Sequence, residues 1–356
     1  MTGYLVCFLF VFTCIICYIE DYLGKFKLPI YIGIGASLIL VAALRVIGDD
    51  PDSDNYEETF LSIAAGNEPD VIIESSFVYI SQFISNFTSD VHFLFFFYAL
   101  LGVSLKFIAF RQLCDSWFLP VLVYIGYFFI FHECMQMRSG VLSAMLLLSV
   151  RPWCEGNRLK AFFFLAIGFF FHHSAIMLLP LLFLSNKPIS DKGRIVWASL
   201  IPLAYIFYFF GFSALLNVSV DLPYIGDKLA LYQLGTEKGR IALAVNVFNP
   251  LHLFTTFLYF YILYFQETLI EKNKYYPLLV KLLGIGIFSY TAFGAFPAIA
   301  QRIDLLLRIV SIILYANVCY TIRPRWAAVT VVMLISFAYL NIAAPSISLH
   351  LLWAGS

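Results

Sequence analysis

At 356 residues, 62% hydrophobic and only 12% charged, the chain carries about half the charge of an ordinary soluble domain. Its 22 basic and 22 acidic residues cancel, so there is no basic field of the kind that recruits nucleic acid. A soluble enzyme and a nucleic-acid partner are both excluded. What remains is an all-α polytopic transmembrane bundle in which residues 1–356 form a single integral membrane domain. A span takes roughly 20 apolar residues, which allows about ten spans here.

The spans are predicted at Thr2–Ile19, Leu28–Ile47, Val91–Phe110, Trp117–Phe131, Arg138–Val150, Arg194–Phe212, Val247–Phe265, Pro277–Pro297, Ile303–Ile322 and Trp326–Ala344. In lipid such runs are helical, because the backbone must satisfy its own hydrogen bonds. The first run lacks a basic leader and a small-x-small cleavage site, so it reads as a span and not as a signal peptide. Cys14-Ile-Ile-Cys17 has redox spacing, but inside a span its sulfurs read as packing groups.

Arg45 closes the second apolar run and is followed by Asp49, Asp50, Asp52, Asp54, Glu57 and Glu58 with no intervening base. An arginine at membrane depth is costly and points to function. Its planar guanidinium suits bidentate contact with phosphate or pyrophosphate, and Asp49, four residues on, is its expected ion-pair partner. Asp50, Asp52 and Asp54 have the alternate spacing of a calcium loop. Asn55 stands at the glycine position, however, and no Glu follows at the twelfth, so no metal is assigned. A carboxylate here suits a general base toward a sugar hydroxyl. Residues 45–90 are therefore read as an acidic loop that includes an interfacial amphipathic helix over Val71–Phe87, where Glu74, Ser75, Ser76 and Ser81 interrupt the apolar residues.

The polar break around His132-Glu133 and Gln136-Met137-Arg138 separates two runs without forming an HExxH zinc motif. Arg138 opens its span facing the bundle interior, with Glu133 as its structural partner if it is not functional. Residues 161–184 have bases at both ends and His172-His173-Ser174 at the midpoint. They read as a re-entrant pair of half-helices, with a plain span as the alternative. A polar loop is expected over 217–246. Further on, Arg302 and Arg308 flank Asp304. Asp304 and Arg308 are four apart, which leaves one guanidinium to meet an anionic lipid head.

If the spans alternate, Lys25, Lys27, Arg111, Arg151, Arg158, Lys160, Lys272, Lys274, Arg323 and Arg325 share one side, assigned to the cytoplasm. The acidic loop, the 132–138 corner, the 217–246 loop and Arg302 then face outward. No Walker, dinucleotide or nucleophile-elbow motif is present, so no cofactor is expected.

Three stretches together resemble the EpsG-like branch of the Wzy polysaccharide polymerases. They are Arg45 with Gly48, Asp49 to Asp54 and Tyr56, then Gln136-x-Arg138-x-Gly140, then Phe171-His172-His173-Ser174-Ala175. The likeness covers residues from about 40 to 185. Asp52 has the family's distance to Tyr56, while Gly48 is displaced by an insertion, so Asp49, Asp50, Asp52 and Asp54 all compete for the family's aspartate position. The resemblance implies a multi-pass glycosyltransferase of the bacterial cytoplasmic membrane, with its active face periplasmic or extracellular. It would join undecaprenyl-pyrophosphate-linked oligosaccharide donor and acceptor within the membrane lipid, with a chain-length regulator as a candidate protein partner. On that reading Arg45, Arg138 and Arg302 hold pyrophosphate, and Asp52 or His172 takes the acceptor proton. Asp49, Asp54, Tyr56, His132, Gln136 and Arg308 complete the substrate contacts. Two competing readings are a flippase or exporter for lipid-linked oligosaccharides and a membrane acyltransferase acting on glycans.

Overall fold

The computed structural model describes residues 2–67, 73–211, 244–343 and 345. Among them no strand occurs, and helices follow one another along the chain. Each of the ten predicted apolar runs contains helix in its described part, with non-helical residues at several of the run ends. Among the described residues five helices are long and apolar enough to cross a membrane, and seven spans qualify if each of two pairs joined at a short break counts as one. The other apolar runs form shorter, interrupted or charge-bearing helices. The predicted 217–246 loop lies, up to residue 243, outside the described residues.

The chain packs as two compact units. The first comprises Met1–Asn186, Glu267–Leu278 and Ser311–Ser356, and the second comprises Lys187–Gln266 and Leu279–Val310.

The first unit begins with α1 (Thr2–Ile19) and α2 (Lys27–Ala43), followed by two short helices, α3 (Ser53–Ala64) and α4 (Ser75–Ser85). Next come α5 (His92–Leu113), α6 (Leu119–Val123), α7 (Met137–Cys154) and α8 (Arg158–Phe171). Helix α5 packs against α2 and α7, and α7 packs against α8. The backbone beyond α6 continues to Met135 in two wider π-type turns, Tyr124–Phe128 and Ile130–Met135. Such turns add residues to a helix and commonly mark functional sites.

The acidic stretch is not simply a loop. Gly48 takes φ +84°, a left-handed conformation that glycine adopts without steric cost, and this reverses the chain after α2. Asp50 Oδ1 then accepts the Asp52 and Ser53 backbone N–H groups at 3.1 and 2.9 Å and so satisfies donors at the start of α3. Within the segment expected to be amphipathic, the helix spans Ser75–Ser85, with Ser76, Phe77, Ser81 and Ile84 on its buried face. In the 161–184 segment α8 ends where His172 turns extended (φ −155°, ψ 123°), and the 3-10 turns His173–Leu178 and Pro180–Phe183 follow.

Four of the bases expected on one side, Lys27, Lys272, Arg323 and Arg325, line a cavity of about 860 Å³ at one end of this unit together with Glu20, Asp21 and Asp115. In α7, Arg138 stands at the first turn and Arg151 at the last, roughly 20 Å apart by helical rise. The 138 end and the basic end of this unit are thus opposite ends.

The second unit contains α9 (Asp191–Ile206), α10 (Pro250–Tyr264), the greater part of α12 (Tyr276–Ala292) and α13 (Pro297–Arg308). The short α11 (Gln266–Lys272) precedes α12, and α14 (Ser311–Asn317) and α15 (Arg325–Ala343) return to the first unit. Within the second unit, Tyr259 donates to the Trp197 carbonyl at 3.1 Å, and His252 Nε2 and Thr291 Oγ1 lie 2.7 Å apart.

Close helix packing in membranes relies on small residues, and Gly126 shows why. A Cβ there would lie 2.6 Å from the Ser336 carbonyl oxygen on α15, which is backbone and cannot swing aside. Gly126→Ala is therefore expected to lower thermal stability in detergent by about 1–3 kcal/mol. Gly33→Ala, which meets nothing within 4 Å, should leave it unchanged. Thermal size-exclusion assays on both variants check this.

Candidate functional site

Two arginines, one just past α2 and one in the first turn of α7, meet two carboxylates of the 49–74 stretch, and they differ in what they leave accessible. Arg45, just past α2, is 2% exposed. Its Nε donates to Asp50 Oδ2 at 3.2 Å, its Nη1 donates to the Ala42 carbonyl at 2.7 Å, and its guanidinium lies 3.6 Å from the centre of the Phe95 ring. The partner is thus Asp50 and not the expected Asp49. Since Asp50 caps α3, this pair locks the acidic stretch onto α2. Arg45 is sealed in as an anchor, and the open guanidinium expected for pyrophosphate is not presented there.

Arg138 is the open one, with a quarter of its side chain exposed. Its Nη1 donates to Glu74 Oε2, and its guanidinium stands 5.6 Å from the Tyr56 ring and 5.7 Å from the Phe77 ring. Its Nε is buried without a hydrogen-bond partner. Glu74 is the residue preceding α4 and is only 6% exposed. Its second oxygen, Oε1, faces His172 Nδ1 at 3.8 Å. Nδ1 also accepts the Ser174 N–H at 3.1 Å, so in this arrangement the ring proton sits on Nε2. The packing of α4 against α8, with Tyr79 stacked on Phe170, together with Tyr98 of α5 edge-on to Phe171, holds Glu74 against the α8 break. Burial pushes the Tyr56 phenol up from its ordinary range, and the Arg138 guanidinium partly offsets this. Tyr56 is therefore a neutral hydroxyl at neutral pH.

The structure thus brings Arg138, His172 and Tyr56 together and adds Glu74, which the sequence reading used only to describe an amphipathic helix. Asp52 sits one turn before Tyr56, accepting its N–H at 3.1 Å through the backbone, and its charge acts on that phenol. Asp54 is exposed beside the Gly48 turn, and Asp49 is half-buried there. Gln136 is the half-buried residue preceding α7. Arg302 and Arg308 both lie on α13 in the second unit. Arg308 binds Asp304 through two nitrogens, with Nε–Oδ1 at 3.1 Å, while Arg302 is exposed. The spare guanidinium of that trio is Arg302.

Two expectations need correction. Glu133 does not partner Arg138, because it is taken by Lys106, whose Nζ lies 2.5 Å from Glu133 Oε1 and 2.7 Å from the Gly140 carbonyl. Tyr124 donates to the same carboxylate oxygen at 2.9 Å. His132 is fully buried, with Nδ1 3.2 Å from Ser143 Oγ, and so offers no surface to a glycan. The signal for this buried system was the lone Lys106 within an apolar run, since an intramembrane lysine demands a countercharge.

With this geometry in hand, the sequence comparisons define the class of the protein. The model of the EpsG family matches residues 28–351, and the chain belongs to that family. It is a multi-pass membrane protein, and its family points to polysaccharide biosynthesis. No curated protein and no solved structure matches the chain.

Removing one partner of a buried ion pair strands the other, at a cost of about 3–5 kcal/mol. Lys106→Met should therefore lower the thermal midpoint of the purified protein sharply, and the double variant Lys106→Met with Glu133→Leu should recover most of the loss. Thermal unfolding of the two variants beside the parent measures both.

Proposed function

We propose that this chain is a polymerase-type glycosyltransferase. It joins undecaprenyl-pyrophosphate-linked oligosaccharide repeat units at the outer face of a bacterial cytoplasmic membrane. The observation that carries the reading is the Arg138–Glu74 pair. A partly open guanidinium with an unspent buried N–H stands beside a carboxylate, at the end of α7 opposite the basic cluster. Positive-inside bias assigns that basic cluster to the cytoplasm and the Arg138 end to the outside.

In the proposed reaction Arg138 binds the donor pyrophosphate in bidentate fashion. An acceptor hydroxyl oxygen attacks the anomeric carbon of the donor glycan, and its proton passes to the Glu74 carboxylate. The bond from the anomeric carbon to the pyrophosphate oxygen breaks, and the pyrophosphate lipid leaves with the electron pair, its charge held by Arg138. Glu74 suits the base better than His172, since the His172 Nδ1 lone pair that faces the site is engaged by the Ser174 N–H. Tyr56 packs beside the Arg138 guanidinium, and His172 lies on the far side of Glu74.

Arg138→Ala, with membrane abundance confirmed, should abolish the long-chain ladder of surface glycan while a single repeat unit is still displayed. An unchanged ladder contradicts the role of Arg138. Loss of all surface glycan would instead favour a flippase or exporter.

A further inference from the structure

We propose that the first unit holds one anionic glycerophospholipid in a groove between α2 and α5, separate from the Arg138 site. The groove encloses about 700 Å³. Its walls are apolar: Ile32, Ala36 and Ile39 from α2 face Leu100, Val103 and Phe107 from α5. It runs from Leu28 to Ile39 along α2, eleven helical steps or roughly 16 Å. That matches one leaflet of a hydrocarbon core roughly 30 Å thick, so an acyl chain from a single leaflet fills it.

One end of the groove is chemically different. Arg111, Gln112, Trp117 and Arg151 close it. Trp117 is the kind of residue that sits at headgroup level, and the Arg111 guanidinium lies 4.0 Å from the centre of its ring. The Arg111 Nη1 bonds go to the backbone carbonyls of Cys114, Asp115 and Ser116 at 3.0–3.4 Å, which fix its position and leave its charge uncancelled. Arg151 shares Glu155 with Lys274, at 3.2 and 3.4 Å, and Arg111 and Arg151 are the charged side chains among the residues that line the groove. A groove one leaflet deep that ends in fixed arginines at headgroup level is complementary to a lipid phosphate carrying net negative charge. A zwitterionic headgroup would bring its own cation against the same arginines.

The test uses the full chain in neutral detergent, with bound lipid counted by native mass spectrometry after mixing with phosphatidylglycerol or phosphatidylcholine. One phosphatidylglycerol per chain should be retained at least tenfold more strongly than phosphatidylcholine. Arg151→Gln, at an exposed position, should weaken that preference about fivefold. Ala36→Trp, which fills the groove from its exposed wall, should remove the bound lipid without touching either arginine. Equal retention of the two lipids overturns the anionic headgroup. Full retention of phosphatidylglycerol by Ala36→Trp overturns the groove. Arg111→Lys keeps the charge and should keep the lipid, and its loss there, in a folded variant, would count against a charge-based site.

Discussion

Two pairings of an arginine with a buried carboxylate organise the first unit of this protein. Burying a guanidinium without a countercharge is strongly unfavourable, so each pairing ties a polar connecting segment to the membrane bundle. Arg45 with Asp50 does so where α2 gives way to α3, and Arg138 with Glu74 does so where α4 meets the start of α7. The first pair is closed and caps a helix. The second retains an exposed edge, and it is flanked by the His172 imidazole and the Tyr56 phenol. The same chemistry thus provides an anchor in one place and a site in the other, and the difference lies in how completely the surroundings close over the arginine.

Beneath the open pair lies a deeper ionic system that no solvent reaches. Lys106, Glu133 and Tyr124 share one carboxylate oxygen, and Lys106 also holds the Gly140 carbonyl in the first turns of α7. Two residues before Gly140 stands Arg138. The buried lysine therefore fixes the backbone that presents the arginine, and the wider turns between Tyr124 and Met135 give the chain the room to bring Glu133 inward. At the other end of the same unit the loop bases collect around their own cavity, which gives the unit two chemically distinct ends.

Much of this was legible in the residues. The apolar runs announced the helices, because lipid leaves the backbone no other way to satisfy its hydrogen bonds. Arg138 stood out as a charge that membrane energetics does not excuse, His172 as the polar midpoint of an apolar segment, and Tyr56 only through the resemblance to the EpsG-like branch. Glu74 did not, because a carboxylate in a mixed, half-polar segment looks like surface until its partner is known, and that partner lies 64 positions away. The choice between Asp49 and Asp50 for Arg45 was equally hidden, since it depends on the left-handed turn at Gly48 and not on helical spacing. Lys106 was readable as an anomaly, but its pairing with Glu133 needed the packing of α5 on α7. Long-range pairings of this kind are set by how helices meet, which a single sequence does not encode locally.

The central claim is that Glu74 and Arg138 act on a lipid-linked glycan. The most direct measurement gives the purified chain, in lipid nanodiscs, synthetic polyprenyl-pyrophosphate-linked repeat units, and follows released polyprenyl pyrophosphate together with glycan length. The account predicts one pyrophosphate lipid released per new glycosidic bond by the parent protein. In Glu74→Gln, with thermal stability retained, it predicts a loss of turnover of about a hundredfold or more. Undiminished bond formation by Glu74→Gln, or no bond formation by a fully folded parent supplied with both substrates, would contradict it.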